Sequence, residues 1–166
     1  MIHEVQGDLL LSRAQTIAHG IAPGDSFNQG LALSLREEWP AMARDFRHYC
    51  QVSHPKPGEL WAWAGTGGRR IVNLLTQEPA EHRGTHPGPA HLEHVNHALR
   101  ALRQLILDEK LESVALPRLA TGVGGLAWDD VRPLIEHHLG DLRIPVYLYT
   151  TFRKGVQAEE PSTAFG

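Results

Sequence analysis

Twice along this chain a short apolar run empties into a glycine-rich loop that leads into a helical stretch. TIAHGI (Thr16–Ile21) runs into residues 22–30 and then LALSLREEW, and SVALP runs into residues 121–125 and then a helix that Asp129 or Asp130 is placed to cap. In open α/β sheets such joints lie beyond the carboxyl ends of the strands, where free backbone N–H groups and the positive end of a helix dipole face a ligand. Glycine lets the backbone come close to phosphate oxygens and permits turns closed to other residues. One such joint suits a phosphate and two suit a diphosphate; glycines that only make a tight turn are the competing reading of residues 121–125. Neither loop has a P-loop ending or the GxGxxG spacing after the first strand, which disfavours nucleotide triphosphatases and ordinary dinucleotide dehydrogenases.

The rest of the chain fits around these joints. Residues 2–5 alternate apolar and polar and end at Gln6-Gly7-Asp8, a short strand closing in a turn. Leu31, Leu35 and Trp39 mark a helix that Pro40 closes or restarts, with helix continuing over residues 41–49. Residues 60–64 and 70–75 flank Gly65-Thr66-Gly67-Gly68 as a hairpin. Residues 77–89 carry Pro79, Pro87 and Pro89 and read as a functional-length loop. Leu92, Val95, Leu99, Leu102 and Ile106 place one apolar stripe on a helix over residues 90–107, Val131, Leu134, Ile135 and Leu139 another, and residues 144–150 form the last strand. Alternating strands and helices, with no repeat and no separating linker, give an α/β domain with helices on both faces of a mostly parallel or mixed sheet. That domain is expected over residues 1–153. The polar stretch 154–166 offers nothing to pack and reads as a flexible tail.

A length of 166 residues, with 42% hydrophobic and 21% charged, suits one independently folding unit. A net charge of −3 gives the whole molecule no electrostatic reason to hold a long phosphate backbone, so a nucleic-acid partner needs local contacts. Cys50 is the single cysteine and reads as a small buried apolar residue; without a disulfide framework, signal-peptide pattern or membrane span, the chain reads as cytoplasmic. His91, His94 and His97 step by three along a helix, which turns His97 away from His91 and favours a solvated face over a metal site.

The segments VQGDLL, AHGIAPGDSFNQGLAL, EEWPAMARDF, IVNLLTQ, LPRLATGVGGLAWDDVRPLI and VYLYT together resemble a macrodomain along nearly the whole chain. They look most like the branch holding the terminal ADP-ribose glycohydrolase, a chromatin-remodeller macrodomain and the antitoxins that remove ADP-ribose from DNA. The resemblance implies a three-layer α/β/α sandwich with a mixed central sheet, binding ADP-ribose or an ADP-ribosylated macromolecule as a monomer, without cofactor or metal. It implies that Asp8 accepts a hydrogen bond from the adenine amino group with the Leu9 backbone beside it; a turn aspartate bonding its own backbone is the alternative. Phe27, Asn28, Gln29 and Gly30, followed by Leu31, match the loop around the distal ribose and a phosphate. Asn28 stands where many relatives carry glycine. Thr121, Gly122, Val123, Gly124 and Gly125 match the diphosphate loop. Tyr149 matches an aromatic near the adenine, against a plain core tyrosine, and His19 matches a family histidine, against a core histidine satisfied by backbone.

In the glycohydrolase branch a lysine follows the threonine of the NxxT strand and an acid stands in the second loop. Here those places hold Gln77 and Gly124, so the lysine-adduct route is closed. Some relatives also carry glutamine there, and Gln77 can orient a water or a ribose hydroxyl. Asp25, the one carboxylate in either loop, is the candidate base, against a loop-tip aspartate fixing its turn. Two readings follow. One is a hydrolase that releases ADP-ribose from modified acidic side chains or related esters. The other is a reader that binds without turnover, and hydrolysis on nucleic acid is a variant of the first. The free-standing domain favours the hydrolase. The loop Glu81-His82-Arg83-Gly84-Thr85-His86 offers a mild positive potential to a modified partner beside the pocket; an exposed variable loop is the alternative.

Overall fold

The computed structural model describes residues 1–82 and 85–162; Arg83 and Gly84 of the loop just named lie outside that set. Strands β1 (Ile2–Gly7), β2 (Thr16–Ile21), β3 (Leu60–Ala64), β4 (Arg70–Leu75), β5 (Val114–Pro117) and β6 (Val146–Phe152) form one sheet in the order β1-β6-β5-β2-β4-β3. Every neighbouring pair is parallel except the β3–β4 hairpin, which makes the sheet mixed. The helices are α1 (Gly30–Glu38), α2 (Pro40–Ser53), α3 (Leu92–Glu109) and α4 (Trp128–Leu139).

Strand periodicity builds the three layers. Ile17, Ile71, Leu75, Ala115 and Tyr147 point to one face and pack with Leu35 of α1 and Met42 and Phe46 of α2. Their chain neighbours Ala18, Val72, Leu74, Val114, Leu116 and Val146 point to the other and pack with α3 and α4. The α3 stripe buries Val95, Leu99, Leu102 and Ile106, while Leu92 in the first turn stays exposed. α1 and α2 are two helices because Trp39 leaves helical geometry (φ −129°, ψ 72°), as a residue before proline tends to, and Pro40 opens α2, where a missing N–H costs nothing.

Two expectations change. Asp129 and Asp130 lie in the first turn of α4 and do not cap it; the cap position is Ala127, with no side-chain bond. Residues 154–162 do find something to pack against. The Val156 carbonyl accepts from Asp8 N–H at 2.7 Å, Ala158 is buried, and Glu160 accepts from Ser12 Oγ (2.6 Å), Arg13 N–H (2.9 Å) and Tyr149 OH (2.6 Å). Gly7 makes room for this segment, since a Cβ there would lie 2.8 Å from Ala158 N and Val156 O. Hydrogen bonds rather than an apolar stripe dock the segment.

Candidate functional site

The parallel strands present their carboxyl ends along one edge of the sheet. There stand Asp8 after β1, residues 22–29 after β2, Thr76 and Gln77 after β4, residues 118–127 after β5, and the second half of β6. β2 and β5 are neighbours whose chains leave for opposite faces, β2 toward α1 and α2, β5 toward α4. Loops that part in this way open a crevice between two strand ends, the usual ligand position in such sheets.

The first loop is anchored from beneath. Phe27 is 1% exposed and at φ 57°, with its ring 5.3 Å from Phe46 in an edge contact and 6.0 Å from His19. A bulky residue in the left-handed region is a strained one. Asp25 supports it by accepting the Phe27 N–H at 2.8 Å, so the turn role competing with catalysis is real. Burial raises the Asp25 carboxyl above its ordinary value, with the Phe27 N–H acting in the opposite sense. Asn28, Gln29 and Gly30 are exposed and Leu31 is half-buried. Gln29 makes no side-chain cap on α1, which leaves the N–H groups of Gly30, Leu31 and Ala32 ahead of the first helical bond.

The second loop is tied along its own backbone. Leu126 N–H donates to Ala120 O (3.0 Å), Gly125 N–H to Gly122 O (3.1 Å), Ala90 N–H to Gly124 O (3.0 Å), and Thr121 Oγ1 to Arg118 O (3.1 Å). Gly124 is buried, and a Cβ there would lie 2.7 Å from Ala120 O and 2.9 Å from the Ala90 methyl. The position matching an acid in the glycohydrolases therefore has no room for a side chain. Gly122 and Gly125 face open space, and Val123 at the tip is 61% exposed. Ala120, at φ 61°, is the strained residue that no sequence signal marks.

Toward β1, both Asp8 carboxylate oxygens are engaged: Oδ1 accepts from Leu10 N–H (3.1 Å) and Oδ2 from Gly155 N–H (2.9 Å). The turn-aspartate role is thus present, and the second bond comes from the C-terminal segment. Leu9 is buried beside it, and Tyr149 directs its hydroxyl to Glu160; burial first, and then the bond to Glu160, hold the phenol above its ordinary range.

His19 belongs to the interior rather than to a ligand surface. It is 1% exposed and its Nε2 donates to Asn73 Oδ1 at 2.6 Å. Asn73 Nδ2 faces the Trp61 carbonyl at 3.3 Å, which only accepts, so the amide oxygen is the one left for His19. Burial pushes the imidazole down to about 4, with the Asn73 bond opposing, so it is neutral at physiological pH. Its ring forms the floor under Phe27. Gln77 is 7% exposed and its amide donates to Gly88 O at 3.3 Å, so the side chain is committed to residues 77–90. Beside Gln77 in the chain, Thr76 packs on Gly20: a Cβ at position 20 would lie 2.7 Å from Thr76 Oγ1, so a larger residue there would have to displace the threonine hydroxyl.

A cleft of about 1350 Å³ lies on the α2 side of the first loop. Arg36, Arg44, Arg47 and His54 line it opposite Pro79, His82 and His86, with Asp25 at the loop; among the described residues none of its lining comes from residues 121–125. Cys50 also borders it, half-buried, with Gly24 N–H 3.4 Å from Sγ; burial raises the thiol above its ordinary value, with the Gly24 N–H acting in the opposite sense. Beyond the cleft, His94 Nε2 donates to Glu78 Oε1 at 2.8 Å and His91 Nε2 lies 3.7 Å from the same oxygen, while His97 turns away to Gly58. Two of the three stepped histidines therefore share a carboxylate partner that sequence spacing did not indicate. Among the described residues no helix is long and apolar enough to cross a membrane.

A family model described as Macro domain matches residues 40–135, which takes in the second loop and stops short of the first. The chain is 26% identical to the DNA ADP-ribosyl transferase-DNA ADP-ribosyl glycohydrolase fusion protein of Thermosipho africanus, covering 97% of this chain and 45% of that protein. It is 25% identical to the ADP-ribose glycohydrolase OARD1 of Homo sapiens, covering 86% and 88%. The chain spans less than half the length of the first curated relatives it matches. The macrodomain of Thermus aquaticus DarG superposes with a TM-score of 0.80 at 25% identity, over 90% of this chain and 98% of that one. Thermosipho africanus DarTG in complex with ADP-ribose shares the fold, with a TM-score of 0.78 at 21% identity, over 94% and 42%.

Proposed function

The chain belongs to the Macro domain family, and on that premise we propose that it binds ADP-ribose across the β2–β5 crevice and hydrolyses the bond between the distal ribose and an acceptor. The observation that carries the reading is the pair of strained loops at the point where the chain parts, one ending at an uncapped helix N-terminus. Strain of this sort persists where the surrounding structure over-determines it, and it collects at ligand clamps. The diphosphate lies against the N–H groups of Gly30 and Leu31 and along the loop of residues 121–125. Asp8, with Leu9 and Tyr149 beside it, takes the adenine end.

The distal ribose then faces Asp25 and the cleft. Water adds to the anomeric carbon, its proton passes to Asp25, and the bond to the acceptor oxygen breaks. A carboxyl raised by burial is a stronger base than an exposed one, which supports Asp25 in this role. Gln77, held on Gly88, acts by fixing the wall behind the ribose and takes no covalent part. An acidic side chain is one acceptor. A nucleic-acid acceptor is the second reading, favoured by Arg36, Arg44 and Arg47 along the cleft and by relatives named for DNA ADP-ribosyl glycohydrolase activity.

The test is release of ADP-ribose from glutamate-modified protein and from ADP-ribosylated DNA, with affinity for free ADP-ribose measured alongside. Asp25→Asn retains the bond to Phe27 N–H and is expected to leave affinity unchanged while slowing release by about 10²-fold or more, the scale of general base catalysis. Asp8→Ala weakens ADP-ribose binding by roughly 10-fold to 100-fold, the scale of a charge-assisted hydrogen bond. Tight binding with both substrates left intact identifies a reader instead.

A further inference from the structure

We propose that Glu78, His91 and His94 form a binding site for one divalent transition-metal ion of the zinc class. Their donor atoms all lie within 4.8 Å of one another, with the two imidazole Nε2 atoms 2.8 and 3.7 Å from Glu78 Oε1. Ligand atoms around a tetrahedral zinc with bonds of about 2.0–2.1 Å stand about 3.3 Å apart, so these separations bracket the required one and small side-chain rotations close the shell. Two imidazoles and one carboxylate select zinc, cobalt or nickel over magnesium or calcium, and as three ligands they leave a fourth position for water.

The backbone holds this constellation ready. Glu78 N–H donates to Pro89 O (3.0 Å) and Glu78 O accepts from Gly88 N–H (2.9 Å), a pairing that only glycine at 88 permits, because a Cβ there would lie 2.8 Å from the Glu78 Cβ. His91 is the cap residue of α3 and His94 follows one turn later on the same face. The positive end of the α3 dipole disfavours a cation, and Glu78 together with Glu93 in the first turn opposes it. A plain ion pair between His94 and Glu78 is the simpler account of the same contacts. It does not explain why His91, whose ring stands 5.3 Å from that of His94 in an edge contact, also directs Nε2 to that oxygen.

The ion would join residue 78 to residues 91 and 94 and so close the base of the loop between them. Pro79, His82 and His86 of that loop form one wall of the cleft, and the metal would set that wall. The site stands whether or not the ADP-ribose reading holds.

The full chain, stripped with a chelator, is titrated with zinc by calorimetry and with cobalt by absorption spectroscopy. One ion per chain and a tetrahedral cobalt spectrum are expected. H91A, H94A and E78Q should each weaken zinc binding by at least about 100-fold, beyond the loss from an outer partner, and H97A should leave it unchanged. Circular dichroism checks that each variant folds, and E78Q preserves side-chain shape. Zinc binding that is absent in the wild type, or equally tight in H91A, H94A and E78Q, overturns the site.

Discussion

Residues 22–29 are pinned from below by a ring lodged among His19 and Phe46, whereas residues 118–127 are laced along their own backbone and pressed onto Ala90 through a glycine. Each holds one non-glycine residue at positive φ, Phe27 and Ala120; His54 and Lys110, which share that conformation, sit at helix C-termini where it is ordinary. The first loop thus depends on a side chain that could be replaced only by another of its size. The second depends on the absence of one. Strain is held by core burial in one case and by hydrogen-bond closure in the other.

The contrast can be broken most forcefully at Phe27. Phe27→Ala removes a fully buried aromatic and should cost about 3–5 kcal/mol in urea unfolding; a loss below about 1 kcal/mol would show that the ring does not pin the loop. Acid should act on the same side. His19 is neutral in the folded chain with its value near 4, against about 6.5 when unfolded. The unfolded chain therefore takes a proton that the folded chain refuses, and stability present above pH 6.5 is lost as pH falls toward 4, by about 3 kcal/mol at the low end. Unfolding of wild type and His19→Gln compared at pH 7 and pH 4 should show the wild type losing that much more; equal losses would remove His19 as the cause.

Smaller effects sharpen the second loop. Gly124→Ala forces a methyl against Ala120 O and Ala90 and should cost about 1–3 kcal/mol, with weakened ADP-ribose binding. Gly122→Ala, where a Cβ meets open space, is the matched control, and equal effects at both positions would argue against steric closure. Smallest is Ala120→Gly, which relieves the positive φ and is expected to stabilise by up to about 1 kcal/mol after glycine's own entropy cost. Destabilisation of that size in thermal unfolding would mean that the Ala120 methyl packs more than it strains.

Alternation of short apolar runs with 3.6-period stripes made the layers and both loops legible, because glycine and strand ends mark themselves in sequence. The hairpin over residues 60–75 was legible for the same reason. Gly124 was visible as a departure from the glycohydrolase pattern, but its collision with Ala90 was not, since that contact joins segments more than thirty positions apart. Glu78 could not be matched to His91 and His94 from spacing, because their meeting depends on how residues 79–90 fold back. His19 could not be assigned from type alone: its role is decided by Asn73, its partner on the neighbouring strand. The docked residues 154–162 were hidden because polar hydrogen bonds leave no periodic trace.

The pairing of β1 with β6, and of Asp8 with Gly155 and Val156, bears on how the molecule is made. The two loops are local strand-to-helix joints and can form early on the ribosome. In the proposed binding mode, the end that takes the adenine cannot. It closes a loop of 147 residues between Asp8 and Gly155, a high-contact-order event that waits until residues near 160 have been synthesised and that loop-closure entropy makes slow. In that binding mode a nascent chain would form each phosphate loop separately, and would close the end that takes the nucleoside last.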